Sequence, residues 1–189
     1  MKKLFLIIGA PGSGKTTDAE LIADNNDNIS HYSTGDMLRA EVASGSSIGK
    51  ELDSYMSKGN IVPIAIVIET IINAIKASPN DIVIIDGYPR SIEQMDALDS
   101  YLSNEKFVTL VSVIEVAVSE ETARDRVLGR ARGADDNNEI FDNRMRVYLD
   151  PLEEIQKFYT DSDILKVLSG EGTIDSIVLE IENFIQSKI

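Results

Sequence analysis

The stretch Gly9–Thr17, GAPGSGKTT, restricts this chain more than any other. It lies directly behind the apolar run LFLIIGA and leads into a helical pattern, and residues 9–16 have the spacing G-x-x-x-x-G-K-[ST] in the order strand, loop, helix. Glycines in such a loop let backbone N–H groups close around phosphate oxygens, and the amino end of the next helix adds partial positive charge. Gly12, Ser13, Gly14 and Lys15 are therefore expected on the phosphates of a nucleoside triphosphate such as ATP, with Lys15 reaching the terminal ones. Thr16 and Thr17 follow, and either offers a hydroxyl for Mg²⁺. The loop says nothing about what receives the phosphate.

Short apolar runs alternate with longer helical patterns along the rest of the chain, which predicts an α/β fold with a parallel sheet covered by helices. Strands are expected at 4–8, 29–33, 82–85, 108–118 and 164–168. Helices are expected at 15–24, 36–43, 48–57, 64–77, 92–102, 120–128, 139–159 and 174–185. Two places break the alternation within what reads as a single domain, 1–189. Between about 34 and 63 two helical segments follow one another with no strand, an insertion large enough for a flap. Around 129–138 the sequence is polar and aperiodic (RARGADDNN over 130–138), a candidate mobile lid. In sheets of this class ligands bind beyond the carboxyl ends of the strands. The glycine loop, STGD at 33–36 and DGYPR at 86–90 all fall at such ends, so one shared site is expected. Asp86, closing the run DIVIID, either holds Mg²⁺ through water or caps the following turn.

Charge narrows the partners. The formal net charge of -14 argues against nucleic acid and against an anionic membrane surface, so bound anions must be held by local cations. The absence of cysteine leaves no thiolate set for zinc and suits a reducing cytoplasm. MKKLFLIIGA reads as a buried strand rather than a leader, because it lacks a small-x-small cleavage pattern and runs straight into the glycine loop. Of the chain's arginines, Arg124, Arg126, Arg130, Arg132, Arg144 and Arg146 crowd into one segment. Helical spacing offers Glu120 to Arg124, and Asp142 or Asp150 to Arg146. Arg126, Arg130, Arg132 and Arg144 have no such acid, and Arg126 faces Arg130 at i,i+4, which is unfavourable unless an anion lies between them.

Taken in order and spacing, GAPGSGKTT, YSTGDMLR, SKGNIVP, DGYPRSIEQ, GRARGADDN and FDNRMRVY resemble the motifs of the adenylate kinases over nearly the whole chain. The resemblance implies a P-loop fold with a five-stranded parallel sheet and the reversible reaction ATP + AMP = 2 ADP with Mg²⁺. It also implies a cytoplasmic monomer of the short-lid kind that carries no zinc. By the same resemblance Thr34 contacts the adenine of AMP and Arg39 its phosphate, while Asn60, Ile61 and Val62 line the adenine pocket through backbone groups. Gly87, Tyr88, Pro89 and Arg90 border AMP, with the Arg90 fork on its phosphate and Gln94 reading the base edge. Arg126 and Arg130 go to ATP, Arg132 and Arg144 to AMP and the moving phosphoryl group, and Gly170 borders the ATP base. The catalytic set becomes Lys15, Arg90, Arg132 and Arg144.

Plainer readings stand beside these. Arg39 sits at i,i+3 from Asp36, Ser91-x-x-Gln94 is also a helix capping box, Val62 suits core packing, and Gly170 suits a simple turn. His31, the one histidine, lies on an edge-like alternating strand and reads as structural, since an anionic acceptor needs no strong base. Three positions depart from the family pattern: Thr16 replaces glycine, Asp18 replaces glutamine, and Gly133 replaces an arginine that Arg132 carries one position away. Two alternatives remain at this point. A UMP/CMP kinase tends to have alanine at Thr34 and asparagine at Ser91, and a non-catalytic ATP-sensing module would not need Arg39, Arg90, Gln94 and Arg144 together.

Overall fold

Five parallel strands, β1 (Lys2–Ile8), β2 (Ile29–Ser33), β3 (Ile82–Asp86), β4 (Val108–Ala117) and β5 (Leu165–Ser169), pair in the order β2-β3-β1-β4-β5. The structure is a computed structural model and describes residues 1–130 and 137–189, the side chain of Arg130 excepted. Residues 131–136 of the expected lid therefore lie outside the described residues.

The central strands are apolar without interruption because helices cover both faces of the sheet. Leu4, Leu6, Val83 and Ile85 point to one side, where α4 (Ile64–Ala77), α5 (Ile92–Asn104) and α8 (Leu152–Asp161) supply Ile71, Ile75, Leu98 and Ile155. Phe5, Ile7 and Ile84 point to the other, against Ala19 and Ile22 of α1 (Lys15–Asn25) and Ile181 and Ile185 of α9 (Ile174–Gln186). The period-two alternation of the strands thus feeds two separate apolar layers. Each such side chain contributes about 1.5–3 kcal/mol by leaving water.

The insertion after β2 contains α2 (Thr34–Ala43) and α3 (Ser47–Met56) with no strand between them, as the pattern predicts. Ser33 and Ser46 cap them, their hydroxyls accepting from Asp36 N at 3.4 Å and Gly49 N at 2.8 Å. Most other boundaries differ from expectation by one or two residues. One expectation fails outright. The helix read over 139–159 is two helices, α7 (Asn138–Leu149) and α8. Pro151 has no N–H to give, and its ring collides with the carbonyl four residues back in a continuing helix, so the chain turns there. The turn brings Tyr148 of α7 and Leu152 of α8 onto the wall of a single cleft. Among the described residues no helix is long and apolar enough to cross a membrane.

Candidate active site

The cleft opens beyond the carboxyl ends of β1, β2 and β3. At one end the loop 9–14 wraps over the start of α1. Gly12 has φ +84°, and a Cβ there would lie 2.4 Å from the Ala123 carbonyl oxygen and 2.9 Å from Val127 Cγ2 of α6 (Glu120–Arg130). Only glycine fits, because both the backbone conformation and the space exclude a side chain. Gly12, Lys15 and Thr16 line the cleft. Ser13 is fully buried, with a hydroxyl that finds no partner among the described residues, and Gly14 and Thr17 are half-buried and do not line the cleft.

Arg126 has no acid at i±3 or i±4 on its own helix, yet its guanidinium donates to the Ser13 carbonyl at 3.2 Å and to the Gly170 carbonyl at 3.0 Å. It therefore ties the glycine loop to the loop after β5. A Cβ on Gly170 would come within 2.7 Å of both Val116 Cγ1 and Val118 Cγ1, so glycine is demanded there by packing. Arg124 pairs with Glu120 at 2.8 Å as expected, and also with Asp142 at 2.7 Å. Arg146 takes neither expected acid and donates to Asn143 Oδ1 at 2.6 Å. Helical spacing predicted the Arg124–Glu120 pair, the second partner of Arg124 comes from α7 (Asn138–Leu149), and Arg146 is met by an amide one turn back on its own helix.

Asp86, at the end of β3, is 1 % exposed. Its Oδ1 accepts the Thr16 hydroxyl at 2.9 Å and its Oδ2 lies 2.6 Å from His31 Nε2. Burial pushes this carboxyl up, but the His31 hydrogen bond, the charge of Lys15 and the Thr16 hydroxyl outweigh burial and hold it below the ordinary carboxylate range. His31 is thus a neighbour of the candidate metal carboxylate as well as a strand residue. The register pairs Asp86 with Ser33, and His31 stands two residues earlier on the same face of β2. No feature of the sequence shows that register. Asp18, on α1, is buried as well. Its Oδ2 has no partner among the described residues, and burial, opposed by Arg126 and Lys15, pushes it up to about 6.

At the opposite end three arginines from three elements line the cleft: Arg39 on α2, Arg90 after β3 and Arg144 on α7. Arg39 is paired with Asp36, so the plainer reading of that residue is realised in this state. Arg90 keeps surface open to the cleft, with Nε donating to the Gly87 carbonyl at 2.7 Å. Desolvation, then the like charges of Arg144 and Arg39, lower its pKa against the pull of Asp86. Gly87 has φ +75°, and a Cβ there would meet Arg90 Nη2 at 2.8 Å, so the guanidinium folds over a residue that must be glycine.

Val62, Gly87 and Pro89 complete this end of the wall, and Met56 and Leu38 of the flap add apolar surface to it. Those last two were missed, since at the sequence level they read as ordinary buried positions of an amphipathic helix. Thr34, Tyr88 and Gln94 are buried behind the wall. The Thr34 hydroxyl has no partner among the described residues, whereas the Tyr88 hydroxyl donates to the Gln94 carbonyl. Ser91 accepts from Gln94 N at 3.2 Å and Gln94 Oε1 accepts from Arg90 N at 2.8 Å, so a capping arrangement close to the expected box is present. Asn60 and Ile61 do not line the cleft. Arg132 and the Arg130 side chain lie outside the described residues.

A protein-family model described as adenylate kinase matches residues 7–164. The chain is 63% identical over 189 residues to the adenylate kinase of Campylobacter fetus subsp. fetus (strain 82-40), covering 100% of this chain and 99% of that protein. It is 65% identical over 190 residues to the adenylate kinase of Helicobacter hepaticus, with 100% of both chains covered. The adenylate kinase of Sulfurovum sp. is 58% identical over 197 residues, again over 100% of both. The shared name favours neither the pyrimidine kinase nor the sensor. A glycine loop and an arginine cluster on one cleft, in a chain this similar to those proteins, place it in the adenylate kinase family of nucleoside monophosphate kinases, phosphotransferases acting between ATP and AMP.

Proposed function

We propose that ATP + AMP = 2 ADP runs across this cleft, with ATP on the glycine-loop end and AMP on the end formed by Arg39, Arg90 and Arg144. The observation that carries this division is that Lys15 and Thr16 share one continuous cleft with those three arginines. An oxygen of the AMP phosphate attacks the γ-phosphorus of ATP, and the bond from that phosphorus to the β,γ-bridging oxygen breaks, leaving ADP on both sides. The attacking oxygen is already anionic, so no general base is needed, and the chain contributes positioning and neutralisation of charge. Lys15, Arg90, Arg132 and Arg144 would meet the oxygens of the moving group, and Arg126, Arg130 and Gly170 would serve ATP.

Arg39 would reach the AMP phosphate by leaving Asp36. Both side chains are nearly half exposed, and pairs of that kind hold together by about 0–1 kcal/mol, so a phosphate dianion outcompetes the carboxylate. The unpartnered Thr34 hydroxyl supports its role on adenine, and Gln94, its oxygen engaged by Arg90 N, would read the base through its amide nitrogen. Thr16 and Asp86 fit an ion of the Mg²⁺ type. Their oxygens are hard donors, the carboxylate stays ionised, and among the described residues no cluster of acids or histidines could hold a metal outright. Such an ion keeps its waters and its phosphate ligands, and when bound it neutralises phosphate charge and orients the γ-group. The flap at 34–63 and the lid at 129–138 would exclude water from the transfer. We read the protein as a monomer, as the family resemblance implies, and as cytoplasmic without zinc, nucleic-acid or membrane partners, which the charge of -14 and the lack of cysteine support.

The test is ADP formation by the purified protein with ATP, Mg²⁺ and AMP, UMP or CMP in turn, beside ATP alone. ADP is expected with AMP only. Preference for UMP or CMP would overturn the roles of Thr34 and Gln94, and transfer to none of them would overturn the division of the cleft.

A further inference from the structure

The flap returns to the body of the protein through the turn Lys58–Gly59–Asn60, and that turn rests on α7. Gly59 has φ +71°, and a Cβ there would lie 3.0 Å from Arg144 Cγ and 3.3 Å from both Ile140 Cγ2 and the Ile140 carbonyl oxygen. Backbone therefore sits directly on helix. Beside this contact the Asn143 amide bridges the two. Its Nδ2 donates to the Lys58 carbonyl at 2.7 Å and to Asn60 Oδ1 at 3.0 Å. Its Oδ1 accepts from Arg146 Nη2 at 2.6 Å. A guanidinium can only donate, so the oxygen of the Asn143 amide must face Arg146 and its nitrogen must face the turn. All three contacts agree on a single orientation of one side chain.

Asn143 is adjacent in sequence to Arg144, and successive residues of a helix point about 100° apart. Asn143 meets the flap turn through its amide, whereas Arg144 touches the turn with its stem and also lines the cleft. The turn leads within three residues to Val62, which is 7% exposed and forms part of the cleft wall. A loss of the Asn143 contacts therefore loosens two parts of the acceptor end together: the segment 60–62 and its seating against Arg144. We propose that Asn143 is a positioning residue for the acceptor end, an amide strap that holds the flap's exit turn in register with the helix carrying Arg144. The proposal rests on the reading above that AMP occupies this end. The strap lies at the surface and outside both apolar layers, so its removal changes the register of the turn and leaves the core intact.

The experiment uses the full chain with Asn143→Ala, Asn60→Ala and the double substitution. Loss of the strap is expected to raise the KM for AMP about threefold to tenfold in Asn143→Ala, equivalent to about 0.7–1.4 kcal/mol. The KM for ATP is expected within about twofold of the wild type and the melting temperature within a few degrees. Asn60→Ala is expected to show a smaller rise, and the double substitution to be no worse than Asn143→Ala, because both remove the same contact. Hydrogen exchange read without nucleotide is expected to speed up at residues 58–61 in Asn143→Ala. Wild-type exchange there would overturn the strap itself. Faster exchange with an unchanged KM for AMP, or equal rises for AMP and ATP, would overturn its bearing on the acceptor end. The exchange measurement needs no nucleotide, so failure of the strap is distinguishable from failure of the AMP assignment.

Discussion

The two ends of the cleft are made of different material. At the loop end the groups that would face phosphate are mostly backbone, set by the conformation of residues 9–14 and braced from behind by Ala123, Val127 and Arg126 of α6. At the arginine end they are long charged side chains from three separate elements. Arg39 leans on Asp36 and Arg90 on the Gly87 carbonyl until a ligand redirects them. A backbone cradle needs no rearrangement when phosphate arrives, but it tolerates no added atom. A side-chain clamp tolerates truncation as structure and loses its chemistry instead.

Paired substitutions test that contrast most directly. Arg90→Ala is expected to lower kcat by about 10²–10³-fold, the cost of one preorganised donor to developing charge, with the melting temperature nearly unchanged. Gly12→Ala should do the reverse, and lose ATP affinity with it. Left-handed strain of about 1–2 kcal/mol adds to about 1–3 kcal/mol for forcing an atom against the Ala123 carbonyl, so thermal unfolding should come several degrees lower. The contrast breaks if Arg90→Ala melts as low as Gly12→Ala, or if Gly12→Ala melts like the wild type.

A smaller effect sharpens it. Asp18 is the side-chain exception at the loop end, a buried acid whose pKa is raised from 3.8 to about 6 by burial, against the pull of Arg126 and Lys15. Between those values the folded protein keeps a proton that the unfolded chain has lost. Stability therefore falls as pH rises through that window and remains lower above it. Asp18→Asn removes this slope. Thermal melts from about pH 4 to 7.5 are expected to fall less steeply for the variant, with a gain of up to about 2 kcal/mol above pH 6. A wild-type curve that stays flat across that range would show that the carboxylate is satisfied after all.

Much of the fold was legible because its signals are local. The apolar runs, the cap at Ser91 and the glycine loop each depend on a few neighbouring residues. The one misread element, the helix expected over 139–159, failed on a local signal that was present but passed over: Pro151. The candidate site was legible in its members more than in their contacts. Lys15, Thr16, Arg39, Asp86, Arg90 and Arg144 do line one cleft. His31 beside Asp86, Arg126 on two carbonyls, and Asn143 across to the flap turn were out of reach.

The sequence by itself determined which segments become strands and helices, where the glycine loop must sit, and which residue types can meet phosphate. Those properties follow from backbone sterics, hydrophobic period and the chemistry of single side chains, all readable within a few positions. The tertiary structure alone decided the partners that charged and polar groups take across the chain. Arg126 reaches the carbonyls of Ser13 and Gly170, and Asp86 meets His31 through the β2–β3 register. Such pairings join residues tens of positions apart, and they exist only once packing has brought their elements together.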